Sequence, residues 1–187
     1  FFLYTEDCAH GKYGIHCNIF CNLKCNGQGD PCERKTGHCT QGCDDGYLGK
    51  LCDTQCPRKR YGARCAETCS PNCAGEGYCD HESGRCTMGC KDGYTGDKCD
   101  MACQNKTYGA GCMETCSPHC GGPEGDCNHV NGWCTMGCRV GYAGDKCDMV
   151  CAVGYFGAKC SKICSEFCYG PDNACNNVNG SCTMGCD

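Results

Sequence analysis

The gaps between successive cysteines repeat, and that repetition restricts the chain to a row of small stapled units. From Cys56 the gaps run eight, three, three, five, six, three, eight and three residues; from Cys103 they run eight, three, three, six, six, three, eight and three. The pattern restarts at Cys8, Cys56, Cys103 and Cys151, a period of 47 or 48 residues. Self-similarity at such a period is the signature of a repeat architecture. Cysteine fills 31 of the 187 positions, beyond the roughly one-tenth that marks a disulfide scaffold.

Each unit is shorter than the size at which hydrophobic burial alone usually holds a fold. Four cross-links per unit, each contributing about 2–4 kcal/mol by restricting the unfolded chain, supply the missing stability. Such cross-links persist only in an oxidising compartment, because cytosolic glutathione keeps thiols reduced. The expected location is therefore extracellular, as a secreted protein or part of an ectodomain. Because each unit is stapled within itself and touches only its neighbours, an elongated rod is expected. No apolar run approaches the ~20 residues needed to cross a bilayer, so no membrane insertion by this segment is expected. Phe1-Phe2-Leu3-Tyr4 is too short for the apolar core of a signal peptide, so the expectation is that any leader or anchor has been removed. The formal charge of −5 carries no long block of one sign. That argues against nucleic acid and leaves cations or basic partners open.

The most recognisable segment in each period is Cys-x-x-Gly-Tyr-x-Gly-x-x-Cys, at Cys43 to Cys52, Cys90 to Cys99 and Cys138 to Cys147. A ten-residue loop closed on itself must turn sharply, so Gly46, Gly49 and their counterparts are expected at positive φ. The tyrosine between them is expected to pack on the sulfurs.

This segment resembles the closing loop of an epidermal growth factor-like (EGF-like) module, and the chain resembles that family at every repeat after Thr5. Taking Cys21, Cys25, Cys32, Cys39, Cys43 and Cys52 as the six cysteines of a module, the family pairs first with third, second with fourth and fifth with sixth. The following loop, Cys56 to Cys65 with Tyr61-Gly62 inside it, resembles the extra loop of the laminin-type, eight-cysteine variant. The resemblance implies a small disulfide-rich fold, with tandem EGF-like or laminin-EGF-like modules, short β-hairpins and little helix. It implies the pairs Cys8–Cys17, Cys21–Cys32, Cys25–Cys39, Cys43–Cys52 and Cys56–Cys65, then Cys69–Cys79, Cys73–Cys86, Cys90–Cys99 and Cys103–Cys112. The third complete repeat follows with Cys116–Cys127, Cys120–Cys134, Cys138–Cys147 and Cys151–Cys160, and the last with Cys164–Cys175 and Cys168–Cys182. Spacing alone does not select this connectivity. The implied boundaries are a tail and last loop over 1–20, repeats over 21–68, 69–115 and 116–163, and a partial repeat over 164–187.

Family members usually place one residue between their fourth and fifth cysteines, whereas three intervene here, as in Cys86-Thr87-Met88-Gly89-Cys90. The longer spacing resembles the multiple-EGF proteins of invertebrates. These include scavenger-receptor-like ectodomains and the tandem-EGF proteins of molluscan byssal threads.

One thiol is left over. Cys186 stands where the fifth cysteine of a repeat belongs, and it marks either a chain cut within a repeat or a thiol that forms intermolecular cross-links. The acidic cluster that the family's calcium-binding subclass carries before its first cysteine is missing, since those positions read Asn18-Ile19-Phe20, Ala66-Glu67-Thr68 and Met113-Glu114-Thr115. Acids do recur at the end of the fifth-to-sixth loop: Asp53, Asp97 with Asp100, and Asp145 with Asp148. Two carboxylates plus turn carbonyls can form a weak calcium site, against the alternative of solvated turn residues. Zinc is not expected, because no Cys-x-x-Cys pair occurs, and the six histidines read as surface residues. Asn105-Lys106-Thr107 and Asn179-Gly180-Ser181 are glycosylation sequons. Arg58-Lys59-Arg60 is a basic tip for glycosaminoglycan contact, or else a solvated loop. Of the ten tyrosines, Tyr4, Tyr78, Tyr155 and Tyr169 hold no repeat position. No serine, histidine and carboxylate recur together, so neither an enzyme nor an organic cofactor is expected.

Some repetition lies where the module does not dictate it. Cys-Thr-Met-Gly-Cys recurs at Cys86, Cys134 and Cys182, Gly-Asp-Lys-Cys-Asp-Met at Gly96 and Gly144, and Glu-Thr-Cys-Ser-Pro at Glu67 and Glu114. A material gains from identical units. The expected function is a secreted structural protein that forms fibre or extracellular matrix, byssal-thread-like, by self-association or with other matrix proteins, helped by calcium and intermolecular disulfides. The alternative is a ligand-binding ectodomain of a multiple-EGF, scavenger-receptor-like surface protein.

Overall fold

The three residues between the end of one ten-residue loop and the next cysteine decide the secondary structure. A disulfide holds the ends of the loop together, so the chain leaving the closing cysteine lies beside the chain inside the loop. In the computed structural model, which describes residues 8–27, 29, 31–104 and 106–186, this produces an antiparallel hairpin each time. Tyr47–Leu48 pairs with Thr54–Gln55, Tyr94–Thr95 with Met101–Ala102, and Tyr142–Ala143 with Met149–Val150. The fourth loops do the same: Lys12–Tyr13 pairs with Ile19–Phe20, Arg60–Tyr61 with Glu67–Thr68, Thr107–Tyr108 with Glu114–Thr115, and Tyr155–Phe156 with Lys162–Ile163. Helix among the described residues is limited to three-residue 3₁₀ turns such as Ala63–Cys65.

To bring the second strand back, the closing cysteine itself turns left-handed. Cys17, Cys52, Cys65, Cys99, Cys112, Cys147 and Cys160 have φ between +49° and +59°, a conformation that costs an L-residue about 1–2 kcal/mol. Gly46 and Gly49, at +87° and +90°, take the positive φ the loop requires of them.

Each of the fifteen disulfides joins a pair named above, from Cys8–Cys17 to Cys168–Cys182. The longer spacing between the fourth and fifth cysteines is taken up by a turn that the second-cysteine segment caps. Asn26 N–H donates to the Gly42 carbonyl, Ala74 to Gly89, Gly121 to Gly137 and Tyr169 to Gly185, at 2.7–3.0 Å. The fourth cysteine is tied to the next loop as well, with Cys39 donating to Lys50, Cys86 to Asp97 and Cys134 to Asp145, each at 2.8 Å. Among the described residues, every buried apolar residue is a cysteine except Tyr108, and no polar or charged residue is buried. The interior is sulfur.

The chain divides into two compact units. One runs through Cys90 and includes Gly96–Asp100; the other contains Lys91–Thr95 and continues from Met101. Within the first, Cys21, Cys25 and Cys32 form a cluster that Tyr13 and Cys39 cover. Within the second, Tyr108 joins Cys116 and Cys120, with Cys127 and Cys134 packed against them. The aromatic on the sulfurs in both clusters comes from the Tyr-Gly step of the preceding fourth loop. The tyrosines of Gly-Tyr-x-Gly have other neighbours: Tyr47 and Tyr94 meet the edges of His81 and His129 at 5.3 and 5.6 Å.

Candidate functional site

The most constant feature of the molecule is the joint at which one repeat's fourth loop meets the next repeat. It begins in the backbone. Gly46 N–H donates to the Gly62 carbonyl and Gly62 N–H to the His81 carbonyl, both at 3.0 Å. The same relay runs from Gly93 to Gly109 to His129 and from Gly141 to Gly157 to Asn177, at 2.9–3.1 Å. A third loop, a fourth loop and the following repeat are thereby tied together.

An aromatic ring seals each joint. Tyr13, Tyr61, Tyr108 and Phe156 lie over Gly37, Gly84, Gly132 and Gly180, where an added Cβ would come within 2.4–2.5 Å of a ring carbon. At three joints a lysine stands over the ring, and at two of them it also bonds the phenol. Lys162 Nζ lies 5.7 Å from the Phe156 centroid. Lys98 Nζ donates to the Tyr61 hydroxyl at 3.0 Å and stands 4.6 Å from its ring centroid; Lys146 repeats both values on Tyr108. The hydrogen bond to the phenol is the main reason that both ammonium groups titrate above the ordinary lysine value. These are the lysines of Gly-Asp-Lys-Cys-Asp-Met, so that repeated hexapeptide has a place at the joint.

The residues missed in the sequence are the glycines under the rings and the two lysines. Their signal was present as Gly-x-Cys before every fourth cysteine: Gly37, Gly84, Gly132 and Gly180. His81 and His129 also share a repeat position, two residues after the third cysteine, and pack at joints.

The other expected residues are dispersed. Asp53, Asp97, Asp100, Asp145 and Asp148 are all exposed. Asp53 accepts the Thr54 hydroxyl at 3.3 Å, and Asp97 lies 3.5 Å from the Arg85 guanidinium. Among the described residues no three carboxylates gather as metal ligands; the sulfurs of Cys25, Cys39 and Cys52 do come together, but all three are already in disulfides. Asn179 is exposed, and its side-chain oxygen accepts the Ser181 amide at 3.0 Å and hydroxyl at 2.8 Å. Asn105 lies outside the described residues, as does Tyr4. Cys186 is a free, exposed thiol whose sulfur is 3.7 Å from that of Cys182. Arg58 and Lys59 lie over the ring of Tyr78, and Arg60 donates to the Ala66 carbonyl at 3.1 Å.

No protein-family model matches this sequence, and no curated protein is similar enough to match it. Among the described residues no helix is long and apolar enough to cross a membrane.

Proposed function

We propose that this chain belongs to a secreted extracellular structural protein of tandem EGF-like, laminin-type repeats that assembles into fibre or matrix. The supporting observation is the sameness of the joints. The relay from Gly46 to Gly62 to His81 recurs twice more with donor–acceptor distances within 0.2 Å, although the residues around it have changed. Recent duplication also produces alike repeats. Duplication alone, however, does not keep a glycine beneath an aromatic ring while Lys35-Thr36 becomes Glu82-Ser83, Val130-Asn131 and Val178-Asn179 before it. A strand under tension requires every joint to resist alike, because the weakest joint sets its strength.

The disulfide density requires an oxidising compartment, and the pairing order supports the EGF-like reading. The second reading, a ligand-binding ectodomain of scavenger-receptor-like kind, is favoured by one observation: the basic tip at Arg58 to Arg60 occurs in one fourth loop only. The encoded precursor separates the two readings. A structural protein is expected to carry a signal peptide and no later membrane span, and a span of about 20 apolar residues downstream of these repeats contradicts it.

A further inference from the structure

Two features depart from the repeat, and they touch each other. In the fourth loops the three residues before the aromatic are His10-Gly11-Lys12, Asn105-Lys106-Thr107 and Val153-Gly154-Tyr155, but Arg58-Lys59-Arg60 in the loop closed by Cys56 and Cys65. Before the third cysteine stand Pro31, Asp126 and Ala174, but Tyr78 in the repeat that follows that loop. The Arg58 guanidinium lies 5.2 Å and the Lys59 ammonium 5.7 Å from the centroid of the Tyr78 ring. Arg58 also donates to the Tyr78 hydroxyl at 3.2 Å, and that hydroxyl donates to the Glu76 carboxylate. Tyr78, without a place in the repeat pattern, is thus the platform that orders two cations.

The backbone points the same way. Lys59 has φ of +66°, in a position filled by Gly11 at +75° and Gly154 at +87° in two of the other loops and by Lys106 at +62° in the third. A lysine is kept here where glycine would be unstrained. All three basic residues are exposed, and the loop holds no acid between Cys56 and Cys65, where Arg64 adds a fourth cation.

From this the geometry points to a docking surface for a sulfated polysaccharide, built from Arg58, Lys59 and Arg60 and ordered by Tyr78. Guanidinium groups pair with oxyanions through several donors at once, and ordering them beforehand lowers the entropy cost of binding. An acidic protein segment fits less well. Protein interfaces are anchored by buried apolar or aromatic side chains, and among the described residues no large exposed apolar side chain occurs between Leu23 and Met88. The surface is local to one joint and independent of whether the repeats form a fibre.

The probe is a heparin oligosaccharide, titrated against the intact chain at about 50 mM salt and again at about 150 mM, where charges are screened over shorter distances. The parent is expected to bind, and to bind more weakly at the higher salt. Arg58→Ser with Lys59→Ser should lose about tenfold or more in affinity, the change expected when two charge-assisted contacts are removed. Lys12→Ser with Lys159→Ser removes the same charge from two other fourth loops and should change affinity less than about twofold, as distant charges are screened. Tyr78→Ala keeps every cation and should still weaken binding. The proposal is overturned if the two double variants weaken binding alike, if Tyr78→Ala has no effect, if polyglutamate of equal charge binds as tightly as heparin, or if the parent does not bind. Recovery of the parent's fifteen disulfide-linked peptide pairs after digestion without reduction shows that the variants, all at exposed or half-exposed positions, have folded.

Discussion

At the scale of single residues, one titratable group sets the turn after a third cysteine apart from its counterparts. Asp80 follows the third cysteine of its repeat, and its Oδ1 accepts the Ser83 hydroxyl at 2.6 Å, the Ser83 amide at 2.8 Å and the Glu82 amide at 3.2 Å. These bonds, the hydroxyl first, hold its pKa below the usual carboxylate value. Since the folded value is the lower one, the stabilisation is complete above the unfolded pKa of about 3.9 and is lost as pH falls through the folded value. Asn128 and Asn176 make the equivalent turn with a neutral amide oxygen, at 2.9 and 3.0 Å to the residue two positions on. Asp80→Asn should therefore remove the acid sensitivity of this turn without unfolding it. The Ser83 amide resonance is expected to titrate below about pH 4 in the parent and to stay flat in the variant; the same titration in both would contradict the assignment.

At the scale of the element, the joint depends on a ring lying directly on a glycine. Gly84 has φ of +79°, and a Cβ there would lie 2.4 Å from two ring carbons of Tyr61; Gly42 has φ of +82°, with nothing within 4 Å. Alanine at Gly42 should cost only the left-handed strain, about 1–2 kcal/mol, whereas at Gly84 overpacking adds about 1–3 kcal/mol. Hydrogen exchange at the Gly62 amide, which donates into the next repeat, reads the joint alone. Gly84→Ala should cut its protection by about tenfold or more, equivalent to 1.4 kcal/mol, and Gly42→Ala should leave it intact; equal effects would show that the ring does not seal the joint. The loop acids carry their own expectation. Calcium held by these dispersed acids would bind no more tightly than about 10⁻⁴–10⁻³ M, the range of extracellular modules, and Asp97→Asn with Asp100→Asn would weaken it. Absence of heat at millimolar calcium in calorimetry would remove calcium from the assembly.

Legibility in the sequence followed locality. The loop glycines at 46 and 49 were readable because a ten-residue ring must turn wherever it occurs. The left-handed cysteines, such as Cys52 and Cys99, were not, since nothing in a cysteine's own preference places it there; closure of the loop imposes it. The role of Tyr61 was half legible. Its Tyr-Gly step marked a fourth loop, but its partners Gly84 and Lys98 lie 23 and 37 residues away, and only the fold brings them together. Tyr47 was expected on the sulfurs; its contact with the edge of His81 was not legible, because that partner lies 34 residues away.

For the whole molecule, the sulfur interior makes redox state the controlling variable, and Cys186 is the accessible handle on it. Its thiol is exposed, and exchange proceeds through the thiolate, so oxidation should produce a covalent dimer that reductant reverses. Cys186→Ser should abolish that dimer on non-reducing electrophoresis; equal dimer from both chains would exclude a cross-linking role. The claim beneath all the others is that each repeat is stapled within itself, so that only noncovalent joints and the chain connect one repeat to the next. Mass mapping of peptides released without reduction tests it most directly. Cys43 is expected joined to Cys52 and Cys56 to Cys65, with counterparts in the other two complete repeats, and a cross-link between those two loops would contradict it.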